Sequence, residues 1–205
     1  MSRRVSARTD MDIARRLMVS PLFKGMSVED VGKCFTCSDA LCVTYRKGEM
    51  IFTEEDEPNK LHILLEGGVR VGYDSFDGNR RVIGTFSSTG DIFGDILLFL
   101  GKKEYGVFAQ ATCETRIVVL PRDFMTGTCV NGCDYHKQLT SNLLMIFAGN
   151  AYALNMRLRI LSCPTLRQKI AKMLSIYNDR DMTKAIDMTR EELAEFLGVT
   201  RPSIC

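Results

Sequence analysis

Two short runs near the end of the chain hold the residue types that contact DNA. Thr189-Arg190-Glu191-Glu192 and Thr200-Arg201-Pro202-Ser203 set hydroxyls and guanidinium groups at the starts of two closely spaced helical segments, and such side chains serve both phosphates and base edges. Thr189 and Glu192 have the spacing of a capping box, in which the hydroxyl accepts from the Glu192 amide and the carboxylate reaches back, so the first helix begins at Arg190. Leu193, Ala194, Leu197, Val199 and Ile204 fill the positions that must be apolar or small. Gly198 stands where the sharp turn needs a left-handed backbone. Thr200 then caps a second helix, with Arg201 and Pro202 in its first turn, where proline's missing N–H costs no hydrogen bond. The stretch reads as a helix-turn-helix with Thr189, Arg190, Thr200, Arg201 and Ser203 as candidate DNA-contacting residues; an ordinary helical hairpin with a glycine bend is the alternative. A complete motif runs several residues past Ile204, so the recognition helix is expected to be truncated here, and the chain to bind DNA weakly and with little sequence discrimination.

The other reactive side chains form no site by spacing. The eight cysteines lie beside eleven methionines in a chain whose basic N-terminus is followed by no apolar leader, which argues for free thiols, a reducing compartment and a cytoplasmic location. Cys129 and Cys133, at helical spacing, read as small buried hydrophobes. His62 and His136 belong to no metal or triad pattern and read as structural or exposed. Gly67-Gly68 with Gly72 is not a dinucleotide fingerprint, because no helix follows. With no nucleophile and base pair, ligand set or phosphate loop, neither an enzyme nor a bound metal or cofactor is expected.

These runs sit on an ordered series of elements. Ser27 to Asp30 is a capping box that opens a short helix to about Cys37. From Leu41 to Leu120 short strands alternate with turn signals: Leu41, Val43 and Tyr45 at period two, Leu61 to Leu65, Val69 to Tyr73, a hairpin signal at Asp77-Gly78 before Arg81 to Phe86, then Val107 to Ala111 and Ile117 to Leu120. That pattern implies a sandwich or barrel-like roll. Leu139, Leu143, Ile146, Asn150, Leu154 and Leu161 then mark a long helix from about His136 to Ser162, whose apolar stripe fits a second copy of the chain or the roll itself. Cys163-Pro164 ends it, and Thr165 to Gln168 caps the next helix, Leu166 to Tyr177. The organisation read from this is residues 1–134, helix pair and roll; 135–164, long helix; 165–205, helix-turn-helix. Residues 21–134 carry an acidic excess and the flanks a basic one, consistent with DNA contact at the C-terminal end. No apolar run is long enough to cross a bilayer, so no membrane partner is expected.

In this order and spacing, Tyr45-Arg46-Lys47-Gly48-Glu49-Met50-Ile51-Phe52, Leu64-Leu65-Glu66-Gly67-Gly68-Val69, Gly90-Asp91-Ile92-Phe93-Gly94-Asp95 and Leu193 to Ser203 resemble the CRP/FNR family of bacterial transcription regulators. The resemblance implies an α+β chain: a jelly-roll-like, cyclic-nucleotide-binding-like sensory roll, a dimerising long helix and a winged helix-turn-helix on a palindromic double-stranded operator. It implies a homodimer under the control of a small-molecule effector, with RNA polymerase as a further candidate partner. In members that bind cyclic nucleotides an Arg-Ser pair and backbone amides cradle the phosphate and an acid takes the ribose hydroxyl. Gly94 and Asp95 match the glycine and the acid, but the Arg-Ser pair falls on Tyr105-Gly106 or on Lys103-Glu104. Tyrosine cannot grip phosphate in a bidentate fork and lysine does so only as a point charge, so cyclic AMP is not the expected effector. Lys102 and Lys103 either bind another anion or are two solvated lysines on a loop tip. The family's helix contact to the ligand falls near Asn155, which equally fits an asparagine that sets dimer register. Cys34, Cys37 and Cys42 with distant Cys113 resemble the cysteines of the family's iron-sulfur oxygen sensors, at imperfect spacing and with burial as small hydrophobes as the other reading. A roll that regulates a protein partner through a docking helix pair is the alternative from another class.

Overall fold

The computed structural model describes residues 2–4, 7–75, 78–126, 134–178 and 188–204. Asp77, Cys129, Cys133 and Cys205 therefore lie outside the described residues. A short strand β1 (Ser2–Arg4) and helix α1 (Ala7–Leu17) open the chain, and a 3-10 turn at Pro21–Phe23 leads to α2 (Val28–Cys37). Ser27 caps α2: its hydroxyl accepts from the Asp30 amide at 3.1 Å, as the sequence box predicts.

Among the described residues eight strands follow: β2 (Leu41–Tyr45), β3 (Met50–Phe52), β4 (Lys60–Glu66), β5 (Val69–Asp74), β6 (Arg80–Phe86), β7 (Ile92–Phe93), β8 (Phe108–Ala111) and β9 (Thr115–Pro121). They make two antiparallel sheets, β1-β2-β9-β4-β7 and β3-β8-β5-β6. The core between them includes Leu64, Val69, Phe93, Ala109 and Ile117. β4 is buried along nearly its whole length instead of alternating, because the second sheet covers one face and α1 crosses the other. Arg16 of α1 donates to Glu66 at 2.8 Å, and Arg116 of β9 reaches the same carboxylate at 3.1 Å. The Arg16 guanidinium, with Arg116 behind it, holds the Glu66 carboxyl below the usual carboxylate range. β1, β3 and β7 are too short to show a period of their own; pairing alone makes them strands.

The α-helices that follow among the described residues are α3 (Arg122–Thr126), α4 (Asp134–Leu161), α5 (Leu166–Asn178) and α6 (Arg190–Leu197). No helix among the described residues is long and apolar enough to cross a membrane. The chain divides into two compact units, residues 1–144 and 145–205, so the division falls inside α4 where the sequence reading placed it on either side of the long helix. Packing explains the position. Leu139 and Leu143 are buried in the first unit, where the Asn142 amide donates to the Leu22 and Lys24 carbonyls at 2.8 Å each. Ile160, at the far end of α4, is buried in the second unit with Met173 and Leu197. The stripe thus changes surroundings along its length, and the large apolar residues it leaves exposed are Leu144, Met145, Tyr152, Leu154 and Leu158.

Candidate functional site

In the first unit the site is built where β7 runs out of the sheet. Phe93 pairs with His62 of β4, and Gly94 turns the chain with φ of 72°. A Cβ on Gly94 would stand 3.1 Å from the Phe52 ring and 3.3 Å from His62 Nδ1, so both backbone conformation and close approach require glycine there. Asp95 follows, 7% exposed, and burial raises its carboxyl above the usual range against the opposing pull of its own and the Ile96 backbone amides.

Tyr105 completes this floor. Its ring lies flat on Phe52, centroids 3.9 Å apart and planes 13° from parallel. Its amide donates to the Asp56 carbonyl at 3.0 Å and its hydroxyl to the Lys60 carbonyl at 3.3 Å. Burial, helped by the charges of Asp56 and Asp95, pushes the phenol up to about 12, so it is neutral. His62 is sandwiched between Phe52 and Phe93 at 5.2 and 5.3 Å, and burial lowers its pKa to about 3, so it too is uncharged. The structure brings Gly94, Asp95 and Tyr105 together. Lys103 stands exposed on the turn before Tyr105, beside exposed Lys102 and Glu104. Phe52, Phe93, His62 and Tyr105 are each no more than 4% exposed, so this floor is packed core, and the residues that form the site offer a phosphate a carboxyl and no guanidinium.

Phe52, Phe93 and His62 were absent from the sequence reading of this site, and His62, read as structural or exposed, is buried, as is His136. His62 lies inside the unbroken apolar run Leu61–Leu65, a signal for burial that the absence of a metal pattern obscured. Among the described residues no three His, Cys, Asp or Glu side chains gather as a metal site; Cys34 is buried in α2, Cys42 half-buried in β2, Cys37 and Cys113 exposed.

The second unit carries the other candidate residues. Thr189 accepts from the Glu192 amide at 3.2 Å while the Glu192 carboxylate accepts from the Thr189 amide at 2.7 Å, so the predicted capping box is complete. Gly198 ends α6 in the left-handed region at φ of 62°, its amide donating back to α6 carbonyls. Ala194 and Leu197 are buried, and Lys169 of α5 donates to the Leu197 carbonyl at 2.9 Å, a cation at the negative end of α6. The expected second helix is, among the described residues, a single 3-10 turn, Arg201–Ile204, in which the Thr200 and Ser203 hydroxyls bond one another at 2.9 Å. Pro202 enters it without loss, having no N–H to leave unpaired. Thr189, Arg190, Thr200, Arg201 and Ser203 are all exposed around this corner. Arg201 Nε donates to Glu191 at 2.9 Å, a partner that helical spacing within one segment could not reveal. Asn155 is exposed on α4, also in the second unit.

Residues 42–130 match the model of the cyclic nucleotide-binding domain. The chain is 24% identical over 170 residues, 79% of its length and 73% of the relative's, to the CRP-like cAMP-activated global transcriptional regulator of Mycobacterium tuberculosis. It is 24% identical over 180 residues to the nitrogen fixation regulation protein FixK of Rhizobium meliloti, covering 86% of this chain and 78% of that one. The chain is thus similar to transcription regulators of the CRP/FNR type. The crystal structure of the Thermus thermophilus catabolite activator protein shares the fold of this chain, with a TM-score of 0.58 over 90% of this chain and 83% of that one at 22% identity. A roll followed by a terminal helical corner is the α+β architecture that the sequence implies.

Proposed function

We propose that the chain is a regulator of the CRP/FNR type, a homodimeric, effector-modulated, DNA-binding protein without catalytic activity, and that its effector is not cyclic AMP. The corner of α6, Gly198 and the Arg201–Ile204 turn carries the DNA reading: it exposes hydroxyls and guanidinium groups on one side while Ala194 and Leu197 bury the other. An ordinary hairpin needs no such exposed set. The arrangement at Gly94, Asp95 and Tyr105 supports the reading on the effector, since an anion there would meet a carboxyl and no guanidinium among the residues that form it.

Dimerisation rests on α4. Leu144, Leu154 and Leu158 are each more than 60% exposed, and at the helical period they share a face with Asn155. Large apolar side chains exposed at that spacing fit a second copy of the helix, with the asparagine fixing register at some cost in stability. The test of the whole reading is fluorescence anisotropy of the chain with its own upstream DNA and with random duplex at several salt concentrations. Binding that weakens with salt on both and is tighter on the upstream DNA supports it; no binding to either at low salt overturns it.

A further inference from the structure

We propose that Glu191 is a positioning residue for Arg201, holding its guanidinium for one G·C pair at the expense of affinity for DNA in general; this rests on the DNA-binding reading above. α6 begins with two adjacent carboxylates that do different things. Glu192 is consumed by the cap, accepting from the Thr189 amide and hydroxyl at 2.7 and 2.9 Å. Glu191 takes no part in that box and instead crosses the corner to Arg201 Nε at 2.9 Å. Folding stability does not account for the pair, since the two side chains are 65% and 58% exposed and ion pairs in that setting contribute little. Nor does attraction to DNA, because an anion beside the candidate contact residues repels the phosphate backbone.

A carboxylate on Nε does fix the plane of the guanidinium. Arginine offers five N–H donors in a rigid fork; with Nε committed, the two terminal amino groups remain as a paired donor edge, the geometry that guanine O6 and N7 accept. An unheld arginine on an exposed turn adopts many rotamers and satisfies phosphates as readily as bases, and ordering it only on binding costs affinity. The turn that carries Arg201 is itself stiff, with Pro202 next in sequence and the Thr200 and Ser203 hydroxyls joined at 2.9 Å. Glu191 therefore has two effects of opposite sign: it sharpens discrimination at one base pair and weakens binding to every duplex.

The experiment selects preferred duplexes from a random library with the full chain. Affinities are then measured by anisotropy for a selected duplex, its single-pair variants and random duplex. We expect wild type to lose about tenfold on replacement of one G·C pair, and Arg201→Gln to lose that preference. Glu191→Gln should keep the thermal midpoint, discriminate at the same pair by no more than about threefold, and bind random duplex at least about twofold tighter at low salt. Retention of the full preference by Glu191→Gln, with its loss in Arg201→Gln, overturns the inference and leaves the DNA reading intact. Equal weakening on all duplexes overturns it too, as the mark of a merely structural role. If Glu191→Gln lowers the midpoint, Glu191→Asp, one methylene too short to hold Nε, must show the same loss of preference, and wild-type discrimination by that variant is refuting. A chain that binds no duplex overturns both readings together.

Discussion

His62 makes the stability of the roll depend on pH in a way that one substitution isolates. The imidazole is 4% exposed between Phe52 and Phe93, with Nδ1 unpartnered beside Gly94. Burial, with the Lys60 charge acting in the same direction, lowers its pKa from 6.5 to about 3. The unfolded chain takes up this proton below pH 6.5 and the folded one refuses it, so the stability present at neutral pH is lost as pH falls toward 3, with a limiting slope of about 1.4 kcal/mol per pH unit. Between pH 7 and pH 5 the loss from this group is about 2 kcal/mol, and it hardly changes if the folded value is 4 instead of 3. His62→Phe keeps an aromatic ring in the stack and removes the proton. Urea unfolding followed by circular dichroism at pH 7 and pH 5, on both proteins, gives the two drops in stability. Glu66, whose lowered carboxyl also disfavours folding at low pH, and Asp95, whose raised carboxyl acts in the opposite sense, are common to both and cancel in the difference. Wild type should fall further by about 2 kcal/mol. Parallel behaviour of the two proteins would mean that the folded state protonates His62 readily, and would refute an uncharged imidazole between Phe52 and Phe93.

Calorimetric titration with cyclic AMP should give no saturable heat for wild type or for Tyr105→Ala, which vacates the stack on Phe52 without adding a cation; micromolar binding would show that Lys103 or backbone amides suffice. Light scattering at micromolar concentration should give twice 23.1 kDa, and Leu154→Lys with Leu158→Lys, on the exposed side of α4, should give a monomer of unchanged helix content. Gly198→Ala places a Cβ 3.1 Å from the Leu161 side chain at positive φ and should destabilise the second unit by about 1 to 2 kcal/mol, read as a lower urea midpoint at an unchanged transition of the roll.

Local chemistry determined much of this protein before any folding was considered. Ser27, Thr165 and Thr189 announce α2, α5 and α6 because a cap needs only a hydroxyl and a partner three residues on, and Gly198 announces the end of α6 because only its own φ is at issue. The same locality made β4, β5 and β9 legible from apolar runs, and Gly94 and Asp95 from one short motif. Contacts between distant segments were not legible. Nothing near Leu139 or Ile160 in sequence says that one end of α4 is buried with the first unit and the other with the second, since a helical stripe records that a face is apolar and not what covers it. Tyr105 could be read as a missing arginine, but its place on Phe52 depends on the turn that returns the chain past Asp56 and Lys60. His62 sat in plain view within an apolar run, and its depressed pKa follows only once two sheets close over it. Arg201 looked like a cation free to meet DNA until the sharp turn at Gly198 brought it to Glu191. Side-chain periodicity and capping act within a few residues and can be read along the chain; pairing, burial and charge act through space, and only the folded backbone sets those distances.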